Sequence, residues 1–238
     1  MRVLSIVHQG GSEAGVFEEA AREAGHDCVR WRIDVDATPP EGGFGAALVF
    51  GGTMNTHEEE AYPWLRHEDS EIRRLLRDGM PLFGVCLGGQ LLAKALDAAV
   101  VAAPVPEIGW HEVALSPEAA GDPVFRGLPR EFPSFQWHFY RFEAPAGAVP
   151  LAQSPVCLQA FRVGDRVWGV QFHPEVTREI LQKWIDLSEA SGFELDYRAL
   201  EAECDVLIGG WNRIGRELAS RFLAVAERLG KRKQGRTA

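Results

Sequence analysis

The stretch Pro81-Leu82-Phe83-Gly84-Val85-Cys86-Leu87-Gly88-Gly89-Gln90-Leu91-Leu92-Ala93-Lys94-Ala95-Leu96-Asp97-Ala98 decides the architecture. Residues 81–85 read as a buried strand, and 87–98 read as a helix that begins almost at once. Between them stands Gly84-x-Cys86-x-Gly88, which has the form of a nucleophile elbow. Glycines there let the chain turn sharply, hold Cys86 in a strained conformation with its sulfur exposed, and leave room for a substrate beside the backbone. The helix that follows points the positive end of its dipole at the sulfur. Taken alone, the segment is also compatible with a buried cysteine in a plain βα packing turn.

Outward from the elbow, the same alternation recurs. Residues 2–7 (RVLSIV) form an apolar run, and 13–25 follow with Val16, Ala20, Ala21 and Ala24 at helical spacing before Gly25. Residues 28–33 alternate as a strand, 46–50 read as a buried strand, and 67–78 look helical before Gly79 stops them. Strands alternating with helices imply right-handed crossovers and a mostly parallel sheet covered on both faces. From about 99 to 172 the texture changes to short strand-like pieces broken by Pro and Gly, which predicts an antiparallel insertion or sheet extension. Helices return at 177–190 and 197–229. In the last, Leu200, Cys204, Leu207, Trp211, Ile214, Leu218, Phe222, Val225 and Leu229 step along 29 residues at the helical period. Gly209, Gly210 and Gly215 inside it mark a place for a kink or break.

The chain has 238 residues, 46% hydrophobic and 25% charged, which suffices to bury a core as one domain or at most two and excludes fibres and disorder. It carries 25 basic and 34 acidic residues, a net charge of −9, which argues against nucleic acid or anionic membrane as partners. The exception is the basic end, with Lys231, Arg232, Lys233 and Arg236, read as a solvated, disordered tail over 231–238. The first apolar run is too short for a signal segment, and no run approaches membrane-spanning length. A cytoplasmic location is expected. Cys28, Cys86, Cys157 and Cys204 are dispersed without a C-x-x-C pair, which fits neither a disulfide framework nor a zinc site. No metal is expected.

A cysteine nucleophile needs a base, and Val170-Gln171-Phe172-His173-Pro174-Glu175 supplies one at the end of another predicted strand. With that strand beside the Cys86 strand, His173 shares the thiol proton while Glu175 holds the other imidazole nitrogen. Acyl transfer also needs donors aimed at the developing oxyanion. Phe50-Gly51-Gly52-Thr53 ends the third strand and opens at the same carboxyl edge of the sheet, so the N–H groups of Gly52 and Leu87 form the natural pair. For Gly51-Gly52 alone, a simple strand-ending turn is as good a reading.

These segments together resemble the class I glutamine amidotransferase domain, in the stand-alone form similar to the glutaminase part of GMP synthase. The resemblance spans GG at 51–52, YPWL at 62–65, GVCLGGQLLA at 84–93, EIGWHEV at 107–113, QWH at 136–138 and GVQFHPEVT at 169–177. It implies a flavodoxin-like three-layer α/β sandwich with a mostly parallel central sheet and a small antiparallel extension, over one domain at 1–230. It also implies a Cys86-His173-Glu175 triad that cleaves the γ-carboxamide of glutamine or of a larger γ-glutamyl compound through a thioester. Gln90 and the segment Trp137-His138-Phe139-Tyr140 match the positions that hold the substrate's amino-acid end. The chain departs from the family at Gly89, often His, at Thr53, usually Pro, and at Phe139, commonly Gly. A ring at 139 crowds the glutamine α-carboxylate or selects a larger substrate.

Other segments read as decoys. His57-Glu58-Glu59-Glu60-Ala61 lacks the second histidine of H-E-x-x-H and reads as an acidic loop, and His8-Gln9-Gly10-Gly11-Ser12 fails G-x-G-x-x-G at position 12, so no nucleotide cofactor is expected. His67, Glu68 and Asp69 read as charges at a helix start. Cys28, Cys157 and Cys204 read as core. His138 is divided between a place at the substrate mouth and a structural hydrogen bond. The expected partners are a small γ-glutamyl substrate, glutamine first, and a separate synthetase subunit that takes the ammonia. The alternative is a non-catalytic ligand-binding or regulatory subunit that keeps the fold.

Overall fold

The computed structural model describes residues 1–8 and 13–234, with side chains through residue 232. In chain order it contains β1 (Arg2–Val7), α1 (Gly15–Glu23), β2 (Asp27–Arg32), β3 (Ala46–Val49), α2 (Trp64–Arg77), β4 (Leu82–Val85) and α3 (Leu87–Ala95). There follow β5 (Val100–Leu115), a 3₁₀ turn (Pro117–Gly121), β6 (Glu131–Phe142), β7 (Val149–Gln153), β8 (Leu158–Val163), β9 (Val167–Val170), α4 (Arg178–Ala190) and α5 (Tyr197–Gln234). Residues 9–12 of the rejected dinucleotide motif lie outside the described residues, as do residues 235–238 of the expected basic tail.

The strands form one sheet in the order β2-β1-β3-β4-β9-β8-β7-β5-β6. The first five are parallel neighbours, and β9-β8, β8-β7, β7-β5 and β5-β6 pair antiparallel. The parallel strands are short and apolar throughout because helices cover both faces. Side chains alternate between the two cores: Ala46 and Leu48 face the layer of α1, α4 and α5, whereas Ala47 and Val49 face the layer of α2 and α3. Phe17, Phe83, Trp168 and Phe222 fill the first layer, and Trp31, Ile72, Leu91 and Leu92 the second. This is the expected three-layer α/β sandwich, and its antiparallel extension is four strands long. Among the described residues, no helix is long and apolar enough to cross a membrane.

Several elements differ from the sequence reading. The extension is built from longer strands than expected. β5 runs through Pro104 and Pro106 as one strand of 16 residues, and its pairing with β6 shifts register between Ala102 and Glu107. Prolines that look like breakers are tolerated where the ladder is already interrupted. The segment 137–140, matched by resemblance to the substrate-holding positions, lies within the 12-residue edge strand β6. α2 starts at Trp64, with Pro63 pre-set at helical φ −58°, so Glu68 sits in its second turn and not at its start. α5 is unbroken over 38 residues and carries Lys231 to Gln234 in helix, past the expected end at 229. Its glycines do not break it. Gly215 instead lets the helix pack closely, since a Cβ there would stand 2.0 Å from the Pro174 carbonyl oxygen.

Candidate active site

Cys86 connects β4 to α3 with φ 50° and ψ −109°, a left-handed conformation that costs a non-glycine residue energy and aims its side chain out of the turn. The turn is held on both sides. The Cys86 N–H donates to the Val170 carbonyl at 2.8 Å, and the Gln90 N–H donates to the Cys86 carbonyl at 2.9 Å. Gly88 has to be glycine, since a Cβ would lie 2.0 Å from the Val49 carbonyl oxygen. The family's frequent histidine at 89 has no room here either: a Cβ on Gly89 would come within 2.6 Å of the Val170 carbonyl oxygen.

His173 follows β9, which pairs with β4 through Gly84 to Gly169 and Val85 to Val170. The adjacency expected from sequence is therefore present. His173 and Glu175 are 3% and 1% exposed, and His173 Nδ1 lies 2.9 Å from Glu175 Oε1. That contact leaves Nε2 for the sulfur. A Cβ on Gly51 would meet His173 Cε1 at 3.2 Å and Cys86 Cβ at 3.7 Å, so the three segments converge within one side chain's width. Burial works against a charge on His173, but Cys86 and Glu175 outweigh it and raise the imidazole to about 10.

The backbone of His173-Pro174-Glu175 is clamped from two helices. Trp211 Nε1 donates to the His173 carbonyl at 2.8 Å, Asn212 Nδ2 to the Val176 carbonyl at 2.7 Å, and the Val16 N–H to the Glu175 carbonyl at 3.0 Å. Trp184 stands edge-on to the His173 ring at 4.9 Å. Thus α5 does more than cover the sheet. It positions the segment that carries the imidazole.

These groups open into a cavity of about 350 Å³ lined by Gly51, Gly52, Cys86, Leu87, Gln90 and the segment Trp137 to Tyr140, with Trp184, Leu187, Ser188 and Ser191 on the far wall. All ten expected site residues line it: Cys86, His173, Glu175, Gly52, Leu87, Gln90, Trp137, His138, Phe139 and Tyr140. Gln90 is already committed, since its Nε2 donates to the Tyr140 carbonyl at 2.9 Å and to Gln171 Oε1 at 3.2 Å. Phe139 is 43% exposed at the mouth, edge-on to Phe193 at 6.0 Å. It therefore forms rim, not floor.

His138 is buried, and Cys157 belongs to its surroundings instead of to the apolar core. His138 Nδ1 lies 3.0 Å from the Tyr140 carbonyl oxygen and Nε2 lies 3.1 Å from Glu107 Oε2. Cys157 Sγ and Gln159 Nε2 also approach that carboxylate, at 3.5 and 2.8 Å. Burial and the adjacent Glu107 carboxylate push the Cys157 thiol up to about 12. Donor atoms of Glu107, His138 and Cys157 lie within 4.8 Å of one another, a spacing a divalent ion could bridge. As they stand, the thiol and the Gln159 amide already donate to the carboxylate. Cys28, also expected in the core, is only half-buried on β2.

Sequence reasoning missed a second histidine pair. His8 directly follows β1, with Nδ1 2.8 Å from the Gly51 carbonyl oxygen and Nε2 2.9 and 3.0 Å from the Glu68 carboxylate oxygens. A signal existed. Leu65, Glu68, Ile72 and Leu75 share one helical face, so an acidic residue stands on the buried stripe of α2. His57 in the acidic loop packs on Tyr140 at 5.0 Å, and Glu59 pairs with Lys94.

Comparison with known proteins agrees with this geometry. The family model described as glutamine amidotransferase class-I matches residues 10–185. The chain is 31% identical over 195 residues to YfeJ of Salmonella typhimurium, described as a glutamine amidotransferase-like protein, covering 79% of this chain and 82% of that one. It is 39% identical over 177 residues to the glutamine-hydrolysing GMP synthase of Thermomicrobium roseum, covering 72% of this chain and 31% of the synthase, so it spans about a third of that relative. A solved glutamine amidotransferase from Thermotoga maritima superposes with a TM-score of 0.85 at 29% identity, over 93% of this chain and 97% of that one. With an elbow cysteine and a His-Pro-Glu segment at neighbouring strand ends and the family model matching most of its length, the chain belongs to the class I glutamine amidotransferase family.

Proposed function

We propose that the protein hydrolyses the γ-carboxamide of glutamine or of a larger γ-glutamyl compound through a thioester on Cys86. One observation carries this reading: an imidazole held by a buried carboxylate at 2.9 Å has its second nitrogen left for a cysteine on a strained elbow, at the base of a cavity roomy enough for a glutamyl group.

In this reading the Cys86 sulfur attacks the γ-carbonyl carbon, and the carbonyl electron pair moves onto oxygen. The N–H groups of Gly52 and Leu87 receive that oxyanion. His173, carrying the proton shared with the thiol, gives it to the departing nitrogen as the C–N bond breaks, and ammonia or an amine leaves. Its raised proton affinity keeps His173 charged at neutral pH, the state this step needs. Water then attacks the thioester while His173 takes its proton, the C–S bond breaks, and glutamate departs. Glu175 holds the ring in the productive orientation throughout.

Among the described residues, those lining the cavity include no Lys or Arg. A substrate α-carboxylate would therefore rest on main-chain N–H groups and neutral side chains, among them the Trp137 to Tyr140 segment. The ammonia either leaves with glutamate or passes to a separate synthetase subunit, and affinity capture of a stoichiometric synthetase would mark the second arrangement.

The test is glutamate and ammonia release from glutamine and a panel of larger γ-glutamyl amides, with Cys86→Ala alongside. Turnover is expected in the wild type, with a loss of at least about 10³-fold in the variant. A wild type that releases no glutamate from any amide, and gains none in the presence of captured partners, overturns the reading.

A further inference from the structure

We infer that His8 and Glu68 form a positioning dyad that locks the Gly51–Gly52 peptide plane, so that the Gly52 N–H faces the reacting carbonyl. The inference rests on the proposed thioester chemistry, because the lock matters only if that N–H receives an oxyanion.

The observations start with a rigid unit. The Gly51 carbonyl and the Gly52 N–H belong to one peptide, and no cis bond occurs among the described residues, so the two groups leave opposite edges of one plane. Whatever holds the carbonyl aims the N–H. The carbonyl is held by His8 Nδ1 at 2.8 Å, and Gly51 and Gly52 both line the cavity.

The peptide needs a lock. A side chain would be crowded here, since a Cβ on Gly51 would meet His173 Cε1 at 3.2 Å and one on Gly52 would meet Met54 Sδ at 2.8 Å and Leu87 Cδ2 at 3.0 Å. With glycine on both sides, the plane is free to rotate end over end at little steric cost. A rotated plane would present its carbonyl oxygen to the oxyanion, and a favourable contact would become a repulsive one.

The lock is itself held at three points. The Gly51 carbonyl can only accept, so Nδ1 must carry a proton. Nε2 faces both Glu68 oxygens at 2.9 and 3.0 Å, so a second proton lies in that contact. Trp64 stacks on the ring at 5.2 Å with 23° between planes. Both side chains of the pair are fully buried. Burial disfavours the charge on His8, yet Glu68, the Gly51 carbonyl and, more distantly, Asp34 raise its proton affinity above the ordinary histidine value. A charged donor also polarises the amide it holds, which strengthens the N–H at the far edge.

Three readouts test the dyad as a positioning device. In His8→Leu, kcat is expected to fall about 10- to 100-fold with KM within about twofold, because the lost contact acts in the transition state. Affinity for glutamate γ-semialdehyde, whose thiohemiacetal carries the oxyanion, should fall by the same factor as kcat/KM. Alkylation of Cys86 by iodoacetamide forms no oxyanion and should stay within about twofold. His8→Asn, whose amide nitrogen stands where Nδ1 does, should restore most of the loss.

The third readout needs no turnover. In the wild type, ¹⁵N spectra should show both His8 ring nitrogens protonated and a single Gly52 amide resonance, and His8→Leu should introduce exchange at the Gly52 amide. If no γ-glutamyl amide is hydrolysed, the substrate reading fails while these spectra still judge the dyad. A neutral His8, an unperturbed Gly52 amide in His8→Leu, or a kcat loss matched by an equal loss of alkylation overturns it. Should His8→Leu fail to fold, His8→Gln, which keeps a donor toward Glu68 but none toward Gly51, takes its place in every arm.

Discussion

The floor of the pocket and its mouth are built by opposite means. The floor stands on the carboxyl ends of the parallel strands β3, β4 and β9, where backbone segments approach so closely that a single added Cβ collides with a carbonyl oxygen at Gly88, Gly89 or Gly215. The His173 ring is held there by Glu175, and the Cys86 backbone by Val170 and Gln90. The mouth is made by the edge strand β6, the last turn of α4 and the α4–α5 turn, where Phe139, Leu187 and Phe193 are 43%, 57% and 36% exposed. Under the proposed thioester chemistry, the contrast assigns the reacting groups to a closely packed floor and the choice of amide to a few exposed side chains.

The largest effect expected of this contrast comes from a residue that touches no substrate. In Gly215→Val the new Cβ would lie 2.0 Å from the Pro174 carbonyl oxygen and must push the His-Pro-Glu segment away. A shift of about 1 Å there should cost on the order of 10²-fold in kcat, measured by glutamate release, while the midpoint of thermal unfolding reports the packing loss separately. Unchanged kcat in a folded Gly215→Val protein would mean that the floor is not held as tightly as the contacts indicate.

A second prediction concerns protons. Against the effect of burial, Cys86 and Glu175 push the His173 imidazole up to about 10 from its ordinary 6.5, so its charged state stabilises the fold. That contribution is complete below about pH 6.5 and fades as pH rises toward 10. Cys86 is the first of the groups that raise it, so Cys86→Ala should lower the His173 midpoint and flatten this part of the stability profile. Imidazole NMR titration and urea unfolding between pH 6 and 10 would check both. An unmoved midpoint would separate the sulfur from the imidazole.

The smallest effect belongs to the mouth. Phe139→Gly should change the ratio of kcat/KM between glutamine and bulkier γ-glutamyl amides by a few-fold, mostly through KM, and leave kcat for the better substrate nearly intact. A large kcat loss at this exposed position would erase the distinction between floor and mouth.

Legibility in the sequence follows the same division. The convergence of Cys86, His173 and Glu175 on one cavity could be read because the elbow and His-Pro-Glu place rare residue types at strand ends, and a parallel sheet brings such ends to one edge. The helices of the first half were visible from period alone. The antiparallel extension was visible from the change in texture, but its strand lengths were not, since prolines at 104 and 106 mask a 16-residue strand and nothing local marks β6 as 12 residues long. The buried histidine pairs were hidden for a different reason. His8 and Glu68 are 60 positions apart, and nothing local tells a solvated glutamate from one that closes a core contact except its place on the apolar face of α2.

The most direct test of the account is to quench the wild-type protein during turnover with a γ-glutamyl amide and map its peptides by mass spectrometry. The account predicts a glutamyl group on the Cys86 peptide, removable by hydroxylamine and absent in Cys86→Ala. Glutamate release at full rate with no adduct on Cys86, or with an adduct that survives in Cys86→Ala, would contradict it.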